Sequence, residues 1–173
     1  MEEFIRFHRL NHNKQNPQMK YVNESVVFQE IPDEISLAIN ISNCPCRCPG
    51  CHSKYLWNDT GDELTHARLD EMLSKYHGEI TCVVIMGGDA SVNDVNDIAM
   101  YMRNIYPNIK IGWYSGRTII SGLLRKELFD YIKIGPYIKH LGPLNSKTTN
   151  QRLYKRVAQQ QWEDITFRFW GGK

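Results

Sequence analysis

Four of the five cysteines fall within one octapeptide, Cys44-Pro-Cys46-Arg-Cys48-Pro-Gly-Cys51. Thiolates are ligands for zinc and for iron–sulfur clusters, so this segment reads as a metal site. Two arrangements are open. A structural zinc ion would take all four thiolates in a closed tetrahedral shell. Such sites commonly draw on two separated cysteine pairs, so that the ion ties two stretches of backbone together. Four ligands in eight residues would staple a single loop. The second arrangement uses Cys44, Cys48 and Cys51, spaced by three residues and then two. It passes over Cys46, which is then a loop thiol without a role. Cys82 sits inside an apolar run and reads as a packed core residue. The six histidines show no ligand spacing.

A second group of residues follows one structural unit later. Gly87-Gly88-Asp89 ends the run Thr81-Cys-Val-Val-Ile-Met86. Alone it is an ordinary turn. Together with the three-then-two cysteine spacing it resembles the signature of the radical S-adenosylmethionine (SAM) superfamily. The resemblance implies a 4Fe–4S cluster on Cys44, Cys48 and Cys51, with a fourth iron free to accept the amino and carboxylate groups of SAM. Gly50, Cys51 and His52 would then contact SAM with Gly87 and Gly88, partly through backbone groups. Asp89 would support the site, and Ser115 would reach the ribose. Glycine permits close backbone approach to a ligand, and a carboxylate suits an ammonium. Arg47 reads as a solvated charge, and Trp113 and Tyr114 as core aromatics.

Regular elements must position these groups. Ile35, Leu37, Ile39 and Ile41 alternate with other residues, the period of a half-buried strand over 34–41. The cysteine loop therefore leaves the C-terminal end of a strand. Leu69, Met72, Leu73 and Tyr76 share one helix face, with Thr65 as N-cap and Gly78 as C-terminal stop. Residues 81–86 form a strand buried on both faces. Val95, Ile98, Ala99, Met102 and Ile105 mark a second helix, closed by Pro107. Strands are predicted at 109–114 and 131–134, a helix at 119–128, and a short strand at 165–169. This βα alternation predicts an α/β fold, mostly parallel, with right-handed crossovers. By resemblance it is a partial (β/α) barrel of the radical SAM type. Residues 1–20 form a polar N-terminal arm, and 21–173 the domain.

Composition narrows the function classes. The formal net charge is +2 with 23% charged residues, which argues against nucleic acid as the main partner. No run of about 18 apolar residues is present to span a membrane. The start Met-Glu-Glu is unlike a secretory signal. A cytoplasmic location is expected, where thiols stay reduced.

Within the superfamily, the chain resembles the activating proteins of anaerobic (class III) ribonucleotide reductase. The matching stretches are Cys48-Pro-Gly-Cys51-His52 with Trp57, the strand ending Gly87-Gly88-Asp89, and the turn Trp113-Tyr-Ser-Gly116. The tail Gly135-Pro-Tyr137, Leu141-Gly-Pro-Leu144 and Thr149-Asn-Gln-Arg152 adds to them. The upstream Pro32-Asp33-Glu34 and Asn43 depart from that pattern. The resemblance implies an enzyme that cleaves SAM reductively and generates a glycyl radical on the reductase. It also implies a flavodoxin-like electron donor. Alternatives are an enzyme similar to carboxy-deazaguanine synthase, an activase of another glycyl radical enzyme, and a non-enzymatic zinc module.

Overall fold

A computed structural model describes residues 18–76 and 78–171 of the chain. Eight strands form one sheet in the order β3-β1-β2-β4-β5-β6-β7-β8. They are β1 Lys20–Val27, β2 Ser36–Ile41, β3 Asp62–Glu63, β4 Cys82–Met86, β5 Lys110–Tyr114, β6 Tyr131–Ile134, β7 Arg152–Ala158 and β8 Gln161–Asp164. Two α-helices accompany them, α1 His66–Ser74 and α2 Val92–Ile105.

The centre of the sheet is parallel. β2 pairs with β4, β4 with β5, and β5 with β6, all in parallel register. The other four pairings are antiparallel. The expectation of a mostly parallel sheet is therefore corrected: parallel pairing is confined to the four central strands. The sheet is open, with β3 and β8 at its edges. β1 and β7 flank the parallel core and were not predicted. Their burial alternates between inner and exposed positions, and polar residues such as Asn23, Glu24 and Lys155 dilute the apolar pattern. A strand beside a sheet edge gains its stability from the ladder as much as from its own side chains.

Both faces of the central strands are covered, as their continuous apolar runs require. On one face Leu37, Ile39, Val83, Ile85, Ile111 and Trp113 pack with Leu69 and Met72 of α1 and Val95, Ile98 and Met102 of α2. On the other, Val84, Cys82, Tyr114, Tyr131 and Leu153 pack with Ile31 and Ile165. Cys82 is fully buried there, as expected.

Thr65 caps α1, its hydroxyl accepting from the Arg68 N–H at 3.1 Å. The helix stops at Ser74 with Lys75 as C-cap, so Gly78, with φ +80°, lies in the turn beyond rather than at the stop itself. The predicted helix over 119–128 is corrected to a loop with one 3₁₀ turn, Lys126–Leu128. Ser121-Gly122 interrupts the helical run, and Asn96 of α2 takes over the backbone groups. Its side chain donates to the Leu123 carbonyl at 2.8 Å and accepts from the Arg125 N–H at 2.9 Å. The predicted strand over 165–169 is likewise corrected to a 3₁₀ turn, Thr166–Trp170, started by Asp164 accepting from the Thr166 N–H. Residues 1–17 of the predicted arm lie outside the described residues. Met19 is packed in the core and Lys20 opens β1.

Candidate metal centre

Parallel register brings the C-terminal ends of four strands into one row. Asn40 of β2 stands beside Met86 of β4, Met86 beside Tyr114 of β5, and Tyr114 beside Lys133 of β6. The next residues are the cysteine loop, the Gly87-Gly88-Asp89 turn, the Ser115-Gly116 turn and Gly135. Backbone bonds lock the row: Gly87 N–H to the Tyr114 carbonyl at 3.0 Å, and Ser115 N–H to the Lys133 carbonyl at 2.8 Å. Residues more than 80 positions apart in sequence thus share one end of the sheet.

The cysteine loop is coiled by three left-handed residues, Asn43 (φ 59°), Arg47 (φ 43°) and Gly50 (φ 77°). Its base is tied down where the Cys44 N–H donates to the Leu56 carbonyl at 2.9 Å. A tight turn returns the Cys51 N–H to the Cys48 carbonyl at 3.0 Å. All four loop cysteines are reduced and half-buried, while Pro45, Arg47, Pro49 and Gly50 are exposed. The Ser53 N–H points at Cys51 Sγ, 3.3 Å away. Donors to sulfur of this kind orient and stabilise metal-bound thiolates. His52 meets Tyr137 edge-on at 5.5 Å, and Gly50 faces Tyr137 and Lys139. The loop after β6 therefore forms one wall of the site.

Among the described residues, no three His, Cys, Asp or Glu side chains converge on the point that one metal ion needs. A mononuclear tetrathiolate site gathers its sulfurs about 2.3 Å from one centre. An iron–sulfur cluster takes its thiolates on separate irons.

Cys46 does not join the solvent-facing side of the loop. Its thiol donates to Asp89 Oδ2 at 3.8 Å. A Cβ on Gly116 would lie 2.7 Å from its sulfur. Burial, and after it the Asp89 carboxylate, push the thiol's pKa up to about 12. Cys46 is thus packed between the two turns, a placement that sequence reading alone, which left it without a role, did not reveal.

Asp89 is the hub of the row. Its side chain is 1% exposed. It accepts from the Ser115 hydroxyl at 2.6 Å and from the Gly116 N–H at 2.9 Å, with Arg117 Nε 3.9 Å away. The Ser115 hydroxyl is therefore held by Asp89 rather than turned outward. Gly88, at φ 87°, has no room for a side chain: a Cβ would sit 2.5 Å from Val95 and 2.9 Å from Met19. Gly87, at φ 114°, faces the Ile41 backbone and offers its carbonyl to the Trp113 indole N–H at 2.7 Å.

Lys133 was missed by sequence reading. It is half-buried at the end of β6, with its ammonium 5.7 Å from the Tyr114 ring centre and donating to the Gly135 carbonyl at 3.1 Å. Burial lowers its pKa to about 8, although Cys48, Glu30 and Asp89 pull the other way. The only signal in the sequence was a lysine at an inward position of an otherwise apolar strand.

The chain matches the family model for a 4Fe-4S single cluster domain over residues 35–161. This protein belongs to the 4Fe-4S single cluster domain family. The matched region of this 4Fe-4S domain runs from the entry to β2 into β8 and contains all five cysteines. Comparison with curated proteins and with solved structures gave no match. Among the described residues of the 4Fe-4S domain, no helix is long and apolar enough to cross a membrane.

Proposed function

We propose that this 4Fe-4S protein is a radical SAM activase that works in the cytoplasm and generates a glycyl radical on anaerobic ribonucleotide reductase. The observation that carries the reading is the row of strand ends. It sets the Cys44, Cys48 and Cys51 loop directly beside the Gly87-Gly88-Asp89 turn, the Ser115-Gly116 turn and Lys133. A partial barrel of the radical SAM type is the form of the sheet that goes with this reading.

Cys44, Cys48 and Cys51 would hold the cluster and leave one iron for SAM. When bound, these groups would supply the hard chemistry: reductive one-electron cleavage of SAM, leading to removal of a hydrogen from a glycine Cα of the partner. The chain's own residues bind and orient. Gly50 to His52 and the backbone at Gly87 and Gly88 line the SAM side of the loop. Asp89 and Ser115 act as positioning residues, joining the β4 turn to the β5 turn. Lys133 supplies a cation suited to the carboxylate of SAM.

Two features favour a protein substrate. Beside Asp89 and Arg117 an open cleft of about 560 Å³ runs along the start of α2. The loop after β5 carries Ile119 and Leu123 at 78% and 65% exposure, with Leu123 on the cleft wall. Exposed apolar side chains at a site mouth are a feature of macromolecular contacts. The test is anaerobic reconstitution with iron and sulfide, then dithionite and SAM. The protein should release 5′-deoxyadenosine and methionine. On addition of the reductase, electron paramagnetic resonance should show a glycyl doublet that disappears when the reductase's C-terminal glycine is replaced by alanine. A fully loaded cluster that releases product only at background level would reject the reading.

A further inference from the structure

The cluster reading leaves Cys46 unused, yet this residue faces inward in its loop. Pro45, Arg47 and Pro49 are exposed, and Cys46 between them is half-buried. Its thiol donates to Asp89 Oδ2 at 3.8 Å. Among the described residues this is the one hydrogen bond from residues 44–51 to the turns after β4 and β5. The loop's other bonds close it on itself or on the segment that follows: Cys44 N–H to the Leu56 carbonyl, Cys51 N–H to the Cys48 carbonyl, and Ser53 N–H to Cys51 Sγ. Gly50 and His52 lean on Tyr137 of the loop after β6 instead.

Asp89 gives the thiol a fixed anchor. Its buried carboxylate already holds the Ser115 hydroxyl at 2.6 Å and the Gly116 N–H at 2.9 Å. One side chain therefore joins three segments: its own turn after β4, the turn after β5, and the cysteine loop. The fit is steric as well as polar. A Cβ on Gly116 would stand 2.7 Å from Cys46 Sγ and 3.1 Å from Cys46 Cβ. The φ of Gly116 is not positive, so left-handed backbone does not call for glycine there. The space left by its missing side chain is filled by the Cys46 thiol. Gly116 and Cys46 are thus a size-matched pair on two segments 70 positions apart.

We infer that Cys46 is a positioning residue: seated on Gly116 and bonded to Asp89, it sets how the cysteine loop stands against the Gly87-Gly88-Asp89 turn. The inference rests on the cluster reading above, which makes Cys44 and Cys48, two positions away on either side, ligands. A shift of Cys46 carries both of them with it. Functional groups must be held to within about 0.5 Å, and a misplacement of about 1 Å can cost a hundredfold. Cysteine suits the position, being small enough to pack on a bare backbone and a weak donor that behaves as a small hydrophobe. No bond to a metal is assigned to its sulfur, which is turned toward Asp89.

The test is a double-mutant cycle on the full chain, reconstituted with iron and sulfide. Cys46→Ala removes the thiol, and Gly116→Ala pushes it aside without touching a cysteine. Each variant should keep the parent's iron and sulfide content. Each should weaken SAM binding about tenfold, read from the SAM concentration that converts the electron paramagnetic resonance signal of the reduced cluster. In the double variant the new methyl takes the place of the missing sulfur. It should therefore also be weakened about tenfold, where independent sites would give about a hundredfold. Cys46→Ser keeps a donor of similar size and should recover most of the affinity, so the Cys46→Ser and Cys46→Ala pair tests the role without Gly116→Ala. A second measurement needs no cluster. In the iron-free chain, hydrogen exchange at the Cys44 and Cys51 amides should be about tenfold faster in either single variant and no faster again in the double. A parent that loads iron but binds no SAM would reject the radical SAM reading, and the exchange cycle would still decide whether Cys46 locks the loop. Additive effects in the double variant would overturn the inference. So would exchange and SAM affinity that ignore both substitutions, or a Cys46→Ala variant that loses its iron.

Discussion

The Ser115 hydroxyl donates to Asp89 Oδ1 at 2.6 Å, joining the turn after β5 to the turn after β4. A hydrogen bond to a buried carboxylate contributes more than a neutral one, about 1.5–3 kcal/mol. Ser115→Ala should therefore lower stability by about that amount. It should leave iron loading intact, because no cysteine is touched, yet weaken SAM binding as the turns loosen. Chemical denaturation and SAM titration of the reconstituted protein check the two halves. Unchanged SAM affinity would remove Asp89 and Ser115 from the positioning role.

Ligand number is tested by single substitutions. Cys44→Ala, Cys48→Ala and Cys51→Ala should each lose most of the reconstituted iron. Cys82→Ala should keep it, since Cys82 is buried in the sheet. Cys46→Ala should keep it too, because that thiol is turned toward Asp89 and Gly116. Iron and sulfide assays with the visible spectrum decide it. Loss in Cys46→Ala equal to that in Cys48→Ala would argue for a four-thiolate site.

Gly88→Ala should destabilise the fold itself. The added methyl would meet Val95 at 2.5 Å and Met19 at 2.9 Å, at a φ of +87°. Overpacking and left-handed strain together cost about 2–4 kcal/mol. Thermal unfolding of the iron-free protein should show the drop; a variant as stable as the parent would mean that this turn yields easily.

Glu34 should prove a structural latch at the opposite end of the sheet. It is 6% exposed and accepts from Lys110 Nζ at 2.5 Å, Tyr131 Oη at 2.7 Å and Thr81 Oγ1 at 2.7 Å. It thereby gathers β5, β6 and the start of β4 near the entry to β2. Glu34→Ala leaves the Tyr131 hydroxyl without its acceptor and removes the partner of the half-exposed Lys110, and about 1–3 kcal/mol of stability should be lost. Cluster loading of the surviving folded fraction should be normal.

Lys133 should impose a pH dependence on the iron-free protein. Burial brings its folded-state pKa to about 8, below the ordinary value of 10.5. Between those values the unfolded chain binds a proton that the folded chain has released. Stability should therefore rise with pH from about 8 to about 10.5, by up to about 1.4 kcal/mol per pH unit. Lys133→Met should be more stable than the parent below pH 8, and the difference should shrink as pH rises. A difference independent of pH would show that the lysine titrates normally.

The sequence by itself determined the cysteine cluster and the core strands. Cysteine spacing is a local covalent fact, so Cys44, Cys48 and Cys51 needed no fold to be grouped. Continuous apolar runs identified β4 and, with alternation, β2, because a strand between layers must be apolar. Tertiary structure decided what depends on partners far along the chain. The loop over 119–128 has helical periodicity, but Ser121-Gly122 weakens it and Asn96 captures its backbone. β1 and β7 read as polar segments because a flanking strand is held largely by the ladder of its neighbour. Cys46 and Lys133 became site residues only through the parallel register of β2, β4, β5 and β6, which sets four strand ends side by side. Register arises from long-range pairing, and no window of sequence contains it.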